Sequence, residues 1–129
     1  MMMKQKDGNL YKQYSMIIYG IPNCDSVKKA TTWLKKEKID FTFHNFRESG
    51  ITAKKLNAWS RQVGWEKLLN KKSTTWRSLS PEQQAAVTSQ SAAVQVMLVH
   101  HSIIKRPVIE HNGKLIVGYN ETQYAEELK

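Results

Sequence analysis

Apolar and polar positions follow one rhythm at the two ends of this chain and another in its middle. "MIIYG" (16–20) is an unbroken apolar run of strand length, the pattern of a short buried strand. A Pro-Asn turn follows. Then Val27, Ala30 and Leu34 recur at helical spacing with lysines on the opposite side, which predicts an amphipathic helix. Asp25 and Ser26 fall in its first turn, where acids and hydroxyls meet unpaired N–H groups. "DFTFHNF" (40–46) alternates as a strand does, with Phe41, Phe43 and Asn45 on one face and His44 at a strand edge.

The middle reads as helical. Thr52 is placed to cap a helix carrying Leu56, Trp59 and Val63, with Gly64 to end it. "WEKLLN" continues as a short helical piece. "SPEQ" (80–83) is a start signal: Ser80 as cap, Pro81 at the first helical position, Gln83 to close a capping box. Residues 91–99 read as helical or mixed, with Val94, Met97 and Leu98 on an apolar side. The last third is two apolar runs around Asn112-Gly113, a two-residue hairpin turn in which both residues tolerate positive φ. Asn120 then caps a final helix, with Gln123 three residues on and Tyr124 and Leu128 facing inward.

The order is β-α-β, a helical insertion over about 51–100, then β-β-α. That is the element order of an α/β thioredoxin-like fold. Residues 16–129 are expected to form one such domain. Residues 1–15 have no apolar centre and no small-residue cleavage site, so they read as a flexible extension rather than a signal peptide, with Met16 an alternative first residue.

Composition narrows the partners. The chain has 129 residues, 40% apolar and 24% charged, normal for a soluble protein of one domain. No apolar run approaches the roughly 20 residues that span a bilayer. A single cysteine excludes an internal disulfide and suits a cytoplasmic location. The net charge of +9 raises nucleic-acid and acidic partners as candidates. The lysines are scattered on polar helix faces, however, and Trp59, Trp65 and Trp76 read as core. Both features argue against nucleic acid. Adjacent His100 and His101 point in different directions with no third ligand near, so no metal site is expected.

Cys24 carries the chemistry. It stands between a strand and a helix, facing free N–H groups and the positive end of the helix dipole, which favour the thiolate. Lys28 and Lys29 lie one turn on. The bland alternative is a buried inert thiol, since free cysteine is often buried. Valine at 27 rules out a CxxC pair, so any redox cycle needs an outside thiol such as glutathione or a protein cysteine. Arg106-Pro107 is the second signal. In thioredoxin folds a cis proline opening this strand faces the nucleophile, and Arg106 would then offer its guanidinium to an anion.

"YGIPNCDSVKKA", "LLNKKSTTWR", "IIKRPV" and "GKLIVGY", in this order, resemble the arsenate-reductase-like family that includes the Spx regulators, closest to its small bacterial glutathione-dependent thiol reductases. The resemblance implies Cys24 as nucleophile and Arg106 as its anion partner, with Asn23, Lys72 and Pro107 completing an anion- and thiol-binding site. It implies glutathione as co-substrate, no resident cofactor and a monomer. The rival implication is a regulator that binds RNA polymerase, as Spx proteins do. True arsenate reductases of this type hold their oxyanion with three arginines. Arg106 matches one, but Lys71 and Lys72 stand near the second and Tyr119, after Gly118, at the third. Gly20 stands where those enzymes carry a histidine. A lysine gives only a point charge, so the arsenate site is incomplete.

Overall fold

The computed structural model of the chain describes residues 16–129, and the expected N-terminal extension lies outside them. In chain order the elements are β1 (Met16–Gly20), α1 (Asp25–Lys36), β2 (Thr42–Asn45), α2 (Phe46–Ser49), α3 (Ala53–Val63), α4 (Trp65–Leu68), α5 (Thr74–Ser78), α6 (Pro81–Ala85), α7 (Gln90–Val99), β3 (Val108–His111), β4 (Lys114–Val117) and α8 (Glu121–Leu128). They form two units. A frame runs to Asn45 and resumes over Arg106–Lys129; an insertion occupies Phe46–Lys105.

The frame holds a sheet in the order β2-β1-β3-β4. The α1 crossover returns the chain so that β2 lies parallel to β1, as such a connection requires. The other two pairings are antiparallel. Asn112 (φ 50°) and Gly113 (φ 78°) both take the left-handed conformation that a tight β3–β4 hairpin demands. Register lines up Phe43, Ile18, Ile109 and Ile116 across the four strands. On that face Ile18, Ile109 and Ile116 pack with Ala30, Trp33 and Leu34 of α1 and Tyr124 and Leu128 of α8, while Phe41 and Phe43 cover the flank. Trp33 meets Tyr124 edge-on at 5.5 Å. The Tyr124 hydroxyl donates to the Gly118 carbonyl at 2.7 Å, fastening α8 to the end of β4. The opposite face carries a polar contact. The Tyr19 hydroxyl donates to Glu110 Oε1 at 2.6 Å, and the Tyr19 ring lies 4.8 Å from that of His44. Burial first, then Glu110, holds the Tyr19 phenol far above its ordinary range.

The insertion is helical. Thr52 caps α3 through the Lys55 N–H, and Gly64 (φ 91°) ends it. Ser80 and Gln83 form the full capping box of α6. Helix α3 packs on α4 and α7, with Leu56, Trp59, Leu68, Val94 and Met97 buried. The Leu68–Asn70 and Ile103–Lys105 segments are stitched by two backbone bonds, Asn70 N–H to Ile103 O (2.8 Å) and Lys105 N–H to Leu68 O (2.7 Å). Two local differences from the sequence pattern stand out. Phe46 opens α2 and is buried there, rather than closing the second strand. Helix α5 has no apolar period to announce it. It buries Trp76 alone and rests on the Ser73 cap. Trp59 and Trp76 are core residues as expected, and Trp65 is half-buried.

Candidate functional site

One end of the frame gathers the chemistry, and the register explains how. Tyr19 pairs with Val108, so the end of β1 runs beside the start of β3. The Gly118 N–H donates to the Pro107 carbonyl at 2.8 Å, which brings the end of β4 to the same edge. From this edge the chain leaves β1 through Ile21, Pro22 and Asn23 to Cys24. Val108 is fully buried, and Arg106 and Pro107 precede it with a cis peptide bond between them.

Cys24 is the N-cap residue of α1, with extended backbone (φ −115°, ψ 129°). Its carbonyl accepts from the Lys28 N–H at 2.9 Å, closing the first turn. Its side chain makes no capping bond. The thiol is half-buried and is not part of a disulfide. A cap residue of this kind leaves the first N–H groups of the helix unbonded within it, so an anion at Sγ would meet the positive helix end. Asn23 is exposed in the turn before it. Arg106 is half-buried, and its Nη1 is shut from solvent with no hydrogen-bond partner among the described residues. An unsatisfied buried guanidinium nitrogen is costly, and an anionic group would satisfy it.

Lys72 belongs to the insertion. Its N–H donates to Asn70 Oδ1 at 3.0 Å and its side chain is exposed. The neighbouring Lys71 ammonium lies 5.8 Å from the centre of the Trp76 ring, a cation–π contact.

Gly20 has a steric reason to be glycine. A Cβ there would lie 2.7 Å from Cγ2 of Val27, a residue buried in α1. A histidine at this position would force Val27 to shift.

A recess of about 360 Å³ lies along α1 beyond Cys24, lined by Lys28, Lys29, Thr32, Trp33, Lys36, Tyr119 and Glu121. Tyr119 stands edge-on to Tyr124 at 5.2 Å. Partial burial, and after it the Glu121 carboxylate that accepts its hydrogen bond, holds the Tyr119 phenol above the ordinary range. The sequence pattern did not flag this recess. Lys28, Lys29 and Lys36 are legible on α1, but only the packing of α1 and α8 on one sheet face brings Tyr119 and Glu121 to them. Among the described residues no group of three His, Cys, Asp or Glu side chains is placed to hold a metal ion, and no helix is long and apolar enough to cross a membrane.

The ArsC family model matches residues 19–127. An uncharacterized protein of Haemophilus influenzae is 41% identical over 107 residues, covering 83% of this chain and 93% of its own. The global transcriptional regulator Spx of Streptococcus pneumoniae is 27% identical over 104 residues, covering 79% and 77%. Among solved structures, the YFFB protein superposes with a TM-score of 0.84 at 38% identity, over 88% of this chain and 99% of that one. An arsenate reductase-related protein of Brucella melitensis has a TM-score of 0.70 at 43% identity, over 89% and 95%.

Proposed function

The chain belongs to the ArsC family, a family with an arsenate-reductase-like, thioredoxin-like fold, and from that premise we propose that it is a thiol-disulfide oxidoreductase working through Cys24 alone, with glutathione as the outside thiol. The observation that carries this reading is a buried Arg106 Nη1, without a hydrogen-bond partner among the described residues, just before β3 at the sheet end where β1 leads to the uncapped thiol of Cys24. In the first step the Cys24 thiolate attacks the glutathione sulfur of a mixed disulfide on a protein. A Cys24–glutathione disulfide forms, and the protein thiolate leaves with the electron pair and takes up a proton. A second glutathione thiolate then attacks the glutathione sulfur of that adduct. Oxidised glutathione leaves and Cys24 is freed as the thiolate.

Arg106 and the α1 N-terminus stabilise the thiolate as nucleophile and as leaving group. Asn23, next to Cys24 in the chain, and Pro107, next to Arg106, belong to the same proposed site. The lysines of the recess along α1 offer cations to glutathione, which carries two carboxylates. Arsenate reduction is a poorer fit, because tyrosine stands at the third arginine position and Gly20 where those enzymes carry a histidine.

Intact-mass measurement tests the reading. Oxidised glutathione should add one glutathione per chain, at Cys24, and excess reduced glutathione should remove it. Cys24→Ser should abolish the adduct, and Arg106→Ala should slow its formation. A thiol that resists oxidised glutathione in the folded chain but reacts after unfolding would sink the proposal. Recovery of RNA polymerase subunits from lysate, in place of glutathionylated proteins, would favour instead the regulator reading that the Spx relatives support.

A further inference from the structure

The charge of this protein is unevenly divided. The insertion, Phe46–Lys105, carries nine lysines and arginines against three glutamates, a net +6. The frame carries eight against seven in residues 16–45 and 106–129, a net +1. In the frame the seven acids nearly balance the cations, and Lys129 pairs with Glu37 at 2.9 Å. In the insertion, Lys54, Arg61, Lys67 and Arg77 are all exposed, and no ion pair joins any of them to a carboxylate of the described residues. Helix α3 contains no acid, and Lys54 and Arg61 lie two turns apart on its exposed side. One of the three glutamates, Glu82, sits in the first turn of α6, where it answers the helix dipole.

From this partition we infer that the insertion is a docking surface for an acidic protein partner, a role separate from the Cys24 chemistry. Uncompensated like charges repel one another, and a carboxylate-rich surface relieves that repulsion on binding. Lys54 and Arg61 are about 10 Å apart along the axis, the spacing of carboxylates two turns apart on an acidic helix. Nucleic acid fits less well. Single strands are gripped by aromatic faces between cations, yet Phe46, Trp59 and Trp76 are buried and only Trp65 shows part of its ring. Glutamines and hydroxyls, such as Gln62, Thr74 and Ser78, separate the cations rather than leaving a continuous basic ridge.

The test uses the full chain and two variants that remove the same charge. One carries Lys54→Gln, Arg61→Gln, Lys67→Gln and Arg77→Gln in the insertion. The other carries Lys35→Gln, Lys38→Gln, Lys114→Gln and Lys129→Gln in the frame, outside the recess along α1. All eight positions are exposed, and circular dichroism checks that each variant keeps its fold. Affinity is read by fluorescence anisotropy against poly-L-glutamate and against random-sequence duplex DNA at equal salt. The insertion variant should bind poly-L-glutamate about tenfold more weakly, as expected for four surface contacts each of a few tenths of a kcal/mol. The frame variant should stay within about twofold. Equal losses in the two variants would mean that affinity follows net charge alone and would overturn the proposal. Tighter binding to the DNA than to poly-L-glutamate would overturn it as well.

Discussion

The frame and the insertion solve the same problem, burying a core, by opposite means. In the frame, residues far apart in sequence must find each other: Met16 pairs with His111, and Tyr19 bonds Glu110. Its order comes from strand register, and a one-residue slip would turn Ile18 and Ile109 away from the core. In the insertion, order is assembled from short helices, several with their own side-chain cap: Thr52, Ser73, Ser80 and Ser89. Helices of four or five residues are not stable alone, so tertiary burial must hold them. Two contrasts follow. The frame presents Cys24 and Arg106 from strand pairings that are hard to shift. The insertion has local signals and an excess of positive charge, and its surface can vary without moving the sheet register.

The largest effects are expected from deleting one buried anchor in each unit. Trp59 is 1% exposed in the insertion, and Ile18 is fully buried in the frame. Trp59→Ala should cost about 3–5 kcal/mol and Ile18→Ala about 2–5 kcal/mol in urea unfolding. Residue-resolved hydrogen exchange sharpens the result. With Trp59→Ala the loss of protection should be greatest in α3, α4 and α7; with Ile18→Ala it should be greatest in β1, β2 and β3. Equal loss everywhere in both variants would show that the two units share one cooperative transition and that the division has no energetic meaning.

A smaller effect is expected where β1 gives way to the loop that carries Cys24. Gly20→Ala forces a methyl against Val27 and should destabilise by about 1–3 kcal/mol, the range for overpacking. Val27→Ala removes the obstructing methyl groups at its own cavity cost. The double variant should therefore lose less than the two single losses added together, by more than about 0.5 kcal/mol. Strict additivity in urea denaturation would show that Gly20 is not there for close packing.

Sequence legibility follows the same division. The hairpin was readable because Asn112-Gly113 is a turn chemistry that few other contexts need. The α1 helix was readable from Val27, Ala30 and Leu34, and the places of Cys24 and Arg106 at element ends were readable as well. The α6 capping box was equally plain. Helix α5 was not, since a five-residue helix burying only Trp76 has no period. Its Ser73 cap was the one available signal. Helix α2 escaped because Phe46 completes the strand alternation in sequence yet is buried at a helix start. The recess of Lys28, Tyr119 and Glu121 was illegible for another reason: it joins residues about ninety positions apart, and no local pattern records which two helices share a sheet face. Arg106 was nameable, but the buried, unpartnered state of its Nη1 was not.

The smallest effect concerns pH, and it tests whether the frame's hairpin registry has an electrostatic cost. His111 closes β3, paired with Met16 on one side and Lys114 on the other. Asn112 Nδ2 lies 3.4 Å from its Nε2, and among the described residues no carboxylate is paired with it to favour a charged ring. Partial burial, and after it the Lys114 cation, holds the imidazole below its ordinary value. The folded chain therefore binds a proton here less readily than the unfolded chain. By linkage, this residue does not oppose folding above the ordinary imidazole value, where it is neutral in both states. As pH falls below that value, the unfolded state takes up the proton first and stability declines. The decline ends only once pH has passed the lower folded value. Urea unfolding at pH 7.5 and pH 5 should show the native chain losing more stability than His111→Gln over that interval. Lys114→Gln removes the weaker of the two causes, so it should reduce the loss without abolishing it. A native chain and a His111→Gln variant with parallel pH profiles would show that the hairpin end is fully hydrated and that register there is free of charge strain.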